Sequence, residues 1–107
     1  MDGLSLKQAL ETVAQSGETF QKLFVRSDFD AGLYKPDKTD PQTPHQRDEV
    51  YIVASGSGTF VCNGEAAPFK AGDFFFVATG VEHRFKDFTD DFATWVIFFG
   101  TAPKVGD

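Results

Sequence analysis

The chain has 107 residues, of which 41% are hydrophobic and 24% charged, and its formal net charge is −6. That length and balance fit a single domain spanning residues 1–107, with enough apolar content for one core and too little chain to divide. Lys and Arg are scattered among the carboxylates, so there is no basic footprint for nucleic acid or an anionic membrane, and no apolar run approaches the roughly 20 residues that span a bilayer.

Chain order begins with a helix. Ser5 followed three residues later by Gln8 has the form of a capping box, Leu6, Leu10 and Val13 fall on one face, and Gly17 lies just past the end. A short helix over about residues 6–15 is expected, without the basic start and apolar stretch of a signal peptide. From Phe20 the pattern changes to short aromatic and β-branched runs, "FQKLFVRS" and "FDAGLY", read as strands with "DAG" as a turn or bulge in or beside them. Residues 35–44, "KPDKTDPQTP", carry three prolines and no apolar period, and read as a loop of a kind that often borders a site.

After that loop the strands follow closely. "EVYIVAS" ends at Gly56-Ser57-Gly58, and Asn63-Gly64 between "TFVC" and "EAAPF" signals a two-residue hairpin. "DFFFVA", "EHRFKDF" and "FATWVIFF" complete about eight strands, with turn signals every 8 to 12 residues or so, which predicts an all-β sandwich or barrel over about residues 20–100. The 13 Phe residues agree, since flat rings pack well on pleated surfaces. The polar tail, residues 101–107, is expected to fray. The single Cys62, beside the hairpin turn, reads as a small packing residue, and a chain with one cysteine suits a reducing cytoplasm.

Two stretches carry chemistry. If alternation runs through residues 43–53, His45, Arg47, Glu49 and Tyr51 share a face, with His45 and Glu49 about 13 Å apart on a straight strand. One metal ion cannot bridge that distance unless the chain bends near Arg47. The second stretch, "AGDFFFVATGVEHRFKDF", sets His83 just beyond a glycine-containing turn.

In these two stretches the chain resembles the cupins. Their first motif ends in H-x-H-x(3 or 4)-E-x(6)-G, and their second has the form G-x(5)-P-x-G-x(2)-H-x(3)-N. Here His45-x(3)-Glu49-x(6)-Gly56 matches the end of the first, and Gly72-x(5)-Ala78-x-Gly80-x(2)-His83 matches the second, with the intermotif hairpin at Gly58 to Phe69. Four positions depart: Asp37 stands at the opening glycine, Thr43 at the first histidine, Ala78 at the proline and Asp87 at the final asparagine. The resemblance implies a double-stranded β-helix, or jelly-roll barrel, and a ligand set reduced to His45, Glu49 and His83.

Two imidazoles and one carboxylate leave positions open on Fe, Zn, Mn, Ni or Cu, and affinity order alone does not choose among them. The competing reading makes His45 and Glu49 polar residues where a strand starts and His83 a turn residue satisfied by hydrogen bonds. Arg47 is a candidate for meeting an anionic ligand, or else a solvated charge. Tyr51 is a candidate proton donor, or else a barrel-lining aromatic with a wet tip. Thr43 is a candidate for holding a water beside the metal. Glu82 and Arg84 flank His83 and read as surface charges.

Two functions follow: a small metal-dependent enzyme of dioxygenase or isomerase type on a small organic molecule, and a non-catalytic module that binds or senses a small ligand. Strands apolar on both faces, "FFF" at 74–76 and Trp95 to Phe99, ask for an outer cover, and with the resemblance they point to a homodimer.

Overall fold

A computed structural model describes residues 2–100, and the tail expected to fray lies outside the described residues. The capping box forms as its spacing demands: Ser5 Oγ accepts from the Gln8 N–H at 3.1 Å, and Gln8 Oε1 accepts from the Ser5 N–H at 3.0 Å. The two bonds satisfy donors that a helix start leaves open. Helix α1 runs Leu6–Ser16 and stops at Gly17, whose φ of 75° is the left-handed cap that glycine adopts without strain. Its apolar stripe buries Ala9 and Val13 against Leu33 and Ala93, with Leu6, Leu10, Leu23 and Trp95 alongside.

Eight strands follow among the described residues: β1 (Phe20–Val25), β2 (Phe29–Tyr34), β3 (Glu49–Ser55), β4 (Ser57–Cys62), β5 (Glu65–Lys70), β6 (Phe74–Val77), β7 (His83–Lys86) and β8 (Ala93–Phe99). They form a five-stranded sheet in the order β1-β2-β8-β3-β6 and a three-stranded sheet in the order β5-β4-β7. All pairs are antiparallel. The fold is all-β with two sheets, the architecture the resemblance implies, although the sheets face each other without closing into one hydrogen-bonded ring.

Two local details differ in outcome. Asn63 and Gly64, with φ of 51° and 79°, make the tight β4–β5 hairpin, where two consecutive positive φ values are what a type I′ turn needs. The "DAG" run is no turn: Asp30 to Gly32 lie within β2, and the irregularity sits across from them on β1, between Lys22 and Phe24. Gly32 is there for space, since a Cβ would stand 2.2 Å from the Gln21 carbonyl oxygen.

Period-two alternation then assigns the interior. Glu49, Tyr51 and Val53 of β3, Val96 and Phe98 of β8, and Val77 of β6 turn inward from the large sheet; Phe60, Phe69, His83 and Phe85 meet them from the small one. Phe85 is the hub, its ring centroid 4.7 Å from Phe60, 4.8 Å from Phe92 and 4.8 Å from Tyr51. Each such aromatic pair adds about 0.5–1.5 kcal/mol beyond the area it buries. The strands that carry Glu49 and His83 thereby line opposite walls of one interior.

Candidate metal centre

Glu49 and Tyr51 occupy successive inward positions of β3, and His83 is the first inward position of β7. His45 reaches the same place from the loop before β3. That strand begins only at Glu49, so residues 44–48 are free to fold back. Three bonds hold the fold-back against the β6–β7 turn: the Thr79 N–H and hydroxyl donate to Asp48 Oδ1 at 2.8 and 2.9 Å, and the Gly80 N–H donates to the His45 carbonyl at 2.9 Å. The two Thr79 bonds, backbone first, also hold the Asp48 carboxyl below its usual range.

The bend removes the 13 Å separation of a straight strand. His45 Nε2 lies 3.6 Å from Glu49 Oε1, and His83 Nε2 lies 2.8 Å from the same oxygen. One donor atom from each of the three residues falls within 4.8 Å of the others. Donors held about 2.0–2.2 Å from a shared ion stand no more than about 4.4 Å apart, so the two measured separations fit as they are.

Burial and charge fit as well. Glu49 is 0% exposed and His83 2%, and neither oxygen of the Glu49 carboxylate finds a hydrogen-bond partner among the described residues. The reason is the tautomer. His83 Nδ1 lies 2.9 Å from the Val81 carbonyl and donates its proton there, so the neutral ring turns a bare Nε2 toward Glu49. Lone pair then faces lone pair across 2.8 Å, an arrangement that a proton or a cation relieves. Burial on its own lowers the His83 pKa, yet it is raised: bonding to Glu49, the Val81 carbonyl, and the charges of Glu49 and Asp40 together outweigh burial.

Tyr51 does not have the wet tip of a barrel-lining ring. It is 0% exposed, its hydroxyl 2.9 Å from both His83 Nε2 and Gln42 Oε1. Burial first, and then the Glu49 charge, push its pKa well above the ordinary value, so it stays a proton donor. Arg47 is buried, but neither solvated nor turned to a ligand: Nη1 binds Asp30 Oδ2 at 2.9 Å, and the guanidinium covers the Phe98 ring with its carbon 4.9 Å from the centroid. Thr43 is exposed and stands outside the cluster. Glu82 and Arg84 are exposed. Asp87, at the asparagine position, takes a φ of 51°, a left-handed conformation that Asp and Asn tolerate better than most residues.

Sequence reasoning passed over two residues here. Asp40, in the proline-rich loop, is 3% exposed and accepts from the Tyr34 hydroxyl at 2.6 Å, the Phe85 N–H at 2.9 Å and Gln42 Nε2 at 2.8 Å. Gln42 turns inward where Thr43 was expected, its Oε1 3.0 Å from His45 Nε2. The signal for Gln42 was a polar residue next to, rather than at, a motif position; Asp40, three residues from the nearest one, gave none.

A cavity of about 150 Å³ opens beside the cluster, lined by Phe20, Lys22, Tyr34, Gln42, His45, Val96 and Phe98. A small two-sheet β protein whose interior holds two imidazoles and a buried glutamate on facing walls is thus defined by structure alone. The family model for a cupin domain matches residues 33–99, more than half of the chain, and the chain belongs to the cupin family.

It is 36% identical over 90 residues to an uncharacterised protein of Streptomyces coelicolor, covering 82% of this chain and 85% of that one. Among solved structures it resembles KdgF from Halomonas sp., with a TM-score of 0.66 at 23% identity over 76% of each chain. An RmlC-like cupin from Shewanella frigidimarina matches with a TM-score of 0.64 at 23% identity, over 79% of this chain and 77% of that one. A predicted oxalate decarboxylase from Thermotoga maritima matches with a TM-score of 0.61 at 21% identity, over 76% and 78%. These structural likenesses establish the fold. No helix among the described residues is long and apolar enough to cross a membrane.

Proposed function

We propose that this cupin holds a divalent transition metal on His45, Glu49 and His83, and works as a small metal-dependent enzyme of dioxygenase or isomerase type on a small organic acid. The observation that carries the reading is the Glu49 carboxylate, fully buried, without a hydrogen-bond partner among the described residues while the His83 ring is neutral, and facing two imidazole nitrogens. A lone buried carboxylate is costly, and a cation among the three donors satisfies it.

A bound ion would supply Lewis acidity or an oxygen-binding position, and the protein's own residues supply the rest. The cavity holds roughly the volume of five waters, which limits the substrate to a small molecule. Phe20, Val96 and Phe98 keep its walls dry, and Lys22 also lines it, with its ammonium 3.3 Å from Asp30 Oδ2. Tyr51 keeps its hydroxyl proton, with the oxygen 2.9 Å from both His83 Nε2 and Gln42 Oε1, beside the donor cluster. The likeness to a predicted oxalate decarboxylase supports the choice of small acids as the first panel.

The second reading, a ligand-binding or sensing module, is favoured by the tight enclosure of the donors, since the His45 side chain is only 17% exposed. Elemental analysis of purified and metal-reconstituted protein tests the metal. Oxygen uptake and product formation across small organic acids then separate enzyme from module. Near-stoichiometric metal with turnover is expected; metal without turnover favours the module, and protein that retains no metal overturns the enzyme and leaves only a metal-free ligand module. A homodimer of single-domain chains in the cytoplasm completes the proposal.

A further inference from the structure

The donor set described above has two nitrogens and one carboxylate, and a fourth polar atom points at it. Gln42 Oε1 lies 3.0 Å from His45 Nε2 and 2.9 Å from the Tyr51 hydroxyl, whose own oxygen is 2.9 Å from His83 Nε2. An amide side chain can present either its oxygen or its nitrogen, so what fixes the choice matters. Here Asp40 fixes it. Gln42 Nε2 donates to Asp40 Oδ2 at 2.8 Å, and the Gln42 backbone N–H lies 3.3 Å from Oδ1 of the same carboxylate.

Turning the amide over would set its carbonyl against the Asp40 carboxylate and its NH2 against the position a cation would take. Asp40 in turn is held by the Tyr34 hydroxyl at 2.6 Å and the Phe85 N–H at 2.9 Å, so it cannot swing away cheaply. The result is a carbonyl oxygen aimed permanently into the site.

That orientation has a consequence for the loaded state. In the empty site His45 Nε2 can donate to Gln42 Oε1. Once the same nitrogen gives its lone pair to an ion, it has no proton to donate, and the amide oxygen is left with the Tyr51 hydroxyl and the ion itself. A neutral carbonyl oxygen is a good donor to a hard or borderline divalent ion, which an exposed threonine hydroxyl is not.

Resting on the metal reading of His45, Glu49 and His83, we infer that Gln42, locked by Asp40, supplies a fourth protein ligand through Oε1, one residue before the position at which the resemblance implies a histidine. The set becomes two nitrogens and two oxygens, which shifts preference from copper toward manganese and iron.

The test uses Co²⁺ as the probe, followed by calorimetry and visible absorption, on the full-length protein, Gln42→Ala and Gln42→Glu. Wild type is expected to take one equivalent. Gln42→Ala should bind about 10- to 100-fold more weakly, with a changed visible spectrum, as loss of a ligand changes the field at the ion. Gln42→Glu keeps an oxygen donor but sets its other oxygen against Asp40 Oδ2, so it should bind more tightly than Gln42→Ala while recovering the wild-type affinity only in part.

A second measurement needs no substitution. In wild type labelled with ¹³C-glutamine, Co²⁺ should shift the Gln42 side-chain carbonyl far outside the range of the other glutamines. Wild-type affinity and spectrum in Gln42→Ala, or an unshifted Gln42 carbonyl in Co²⁺-loaded wild type, would overturn the Gln42 assignment and leave the three-residue site standing. If wild type takes up no Co²⁺, Mn²⁺ or Zn²⁺, the metal reading and the Gln42 assignment fall together.

Discussion

Glu49 Oε1 and His83 Nε2 face each other across 2.8 Å from the two different sheets, each on an inward position of its strand. The pair is a joint between the sheets as well as part of the cluster, and that double role separates stability from metal binding. With the His83 ring neutral, an isosteric glutamine at Glu49 can donate its amide N–H to the bare Nε2, so the joint is kept while the ion loses its anionic ligand.

Glu49→Gln is therefore expected to melt within about 1 kcal/mol of wild type in the presence of a chelator. Wild type with metal at 100 times its Kd should gain about 2.7 kcal/mol, and Glu49→Gln, which offers the ion only a neutral carbonyl oxygen, should gain distinctly less at the same metal concentration. Thermal melts with and without added Mn²⁺ or Zn²⁺ read both numbers. A metal-dependent rise of wild-type size in the variant would remove Glu49 from the site.

The features legible in the chain were those set by local rules. Ser5 and Gln8 make their capping box, and Asn63-Gly64 makes its hairpin, because each depends on neighbours within a few residues. Alternation correctly placed Glu49, Tyr51 and Val53 on one face once β3 had begun. It failed before Glu49, where the path is set by bonds to a distant turn: Asp48 to Thr79, and the His45 carbonyl to Gly80. No period in residues 43–48 encodes those contacts. A partner of Arg47 was hidden for the same reason, because Asp30 lies in the "DAG" run, read as a turn or bulge in or beside the strands.

Asp30 and Arg47 supply a pH-dependent prediction. Burial alone would raise the Asp30 pKa, but the Arg47 and Lys22 hydrogen bonds and charges lower it below the ordinary 3.8. The native carboxyl thus holds its proton less tightly than in the unfolded chain. Its contribution is complete above about pH 4 and is lost as the pH falls through the lowered native value. Asp30→Asn takes the Asp30 charge away from the buried Arg47 and should cost about 3 kcal/mol at neutral pH. The gap to wild type should narrow progressively below pH 4. Urea unfolding at pH 7 and pH 3 checks this, and a gap that stays constant or widens in acid would remove the ion pair as the cause.

Phe85 gives the packing prediction. It is 1% exposed, and its ring meets Phe60, Phe69, Phe92 and Tyr51 between the sheets. Phe85→Ala deletes the ring at the centre of that cluster and should cost about 3–5 kcal/mol, much of what holds a domain of this size together. Denaturant titration should show the midpoint falling with an unchanged slope. A cost below about 1 kcal/mol would mean that the sheets collapse onto the gap without loss.

The outer face of the large sheet gives the last. Phe74 and Phe76 are 63% and 57% exposed, on a strand that pairs with β3 on one side and ends the sheet on the other. Phe76 lies beside Val50, which pairs on to Ile97, and Phe74 lies beside Ile52, which pairs on to Trp95, so the two rings extend an apolar band across three strands. Helix α1 covers the Leu33 and Trp95 end of this face and leaves the β6 end open. An open edge with an apolar flank is a surface that chains bury by pairing, and a second copy related by a twofold axis is the expected cover. Light scattering at micromolar concentration should give twice the chain mass for wild type. It should give the monomer mass for Phe74→Ser/Phe76→Ser, with an unchanged circular dichroism spectrum because neither ring contributes to the interior. A monomeric wild type at that concentration would count directly against the dimer, and a variant that remains dimeric would move the interface elsewhere.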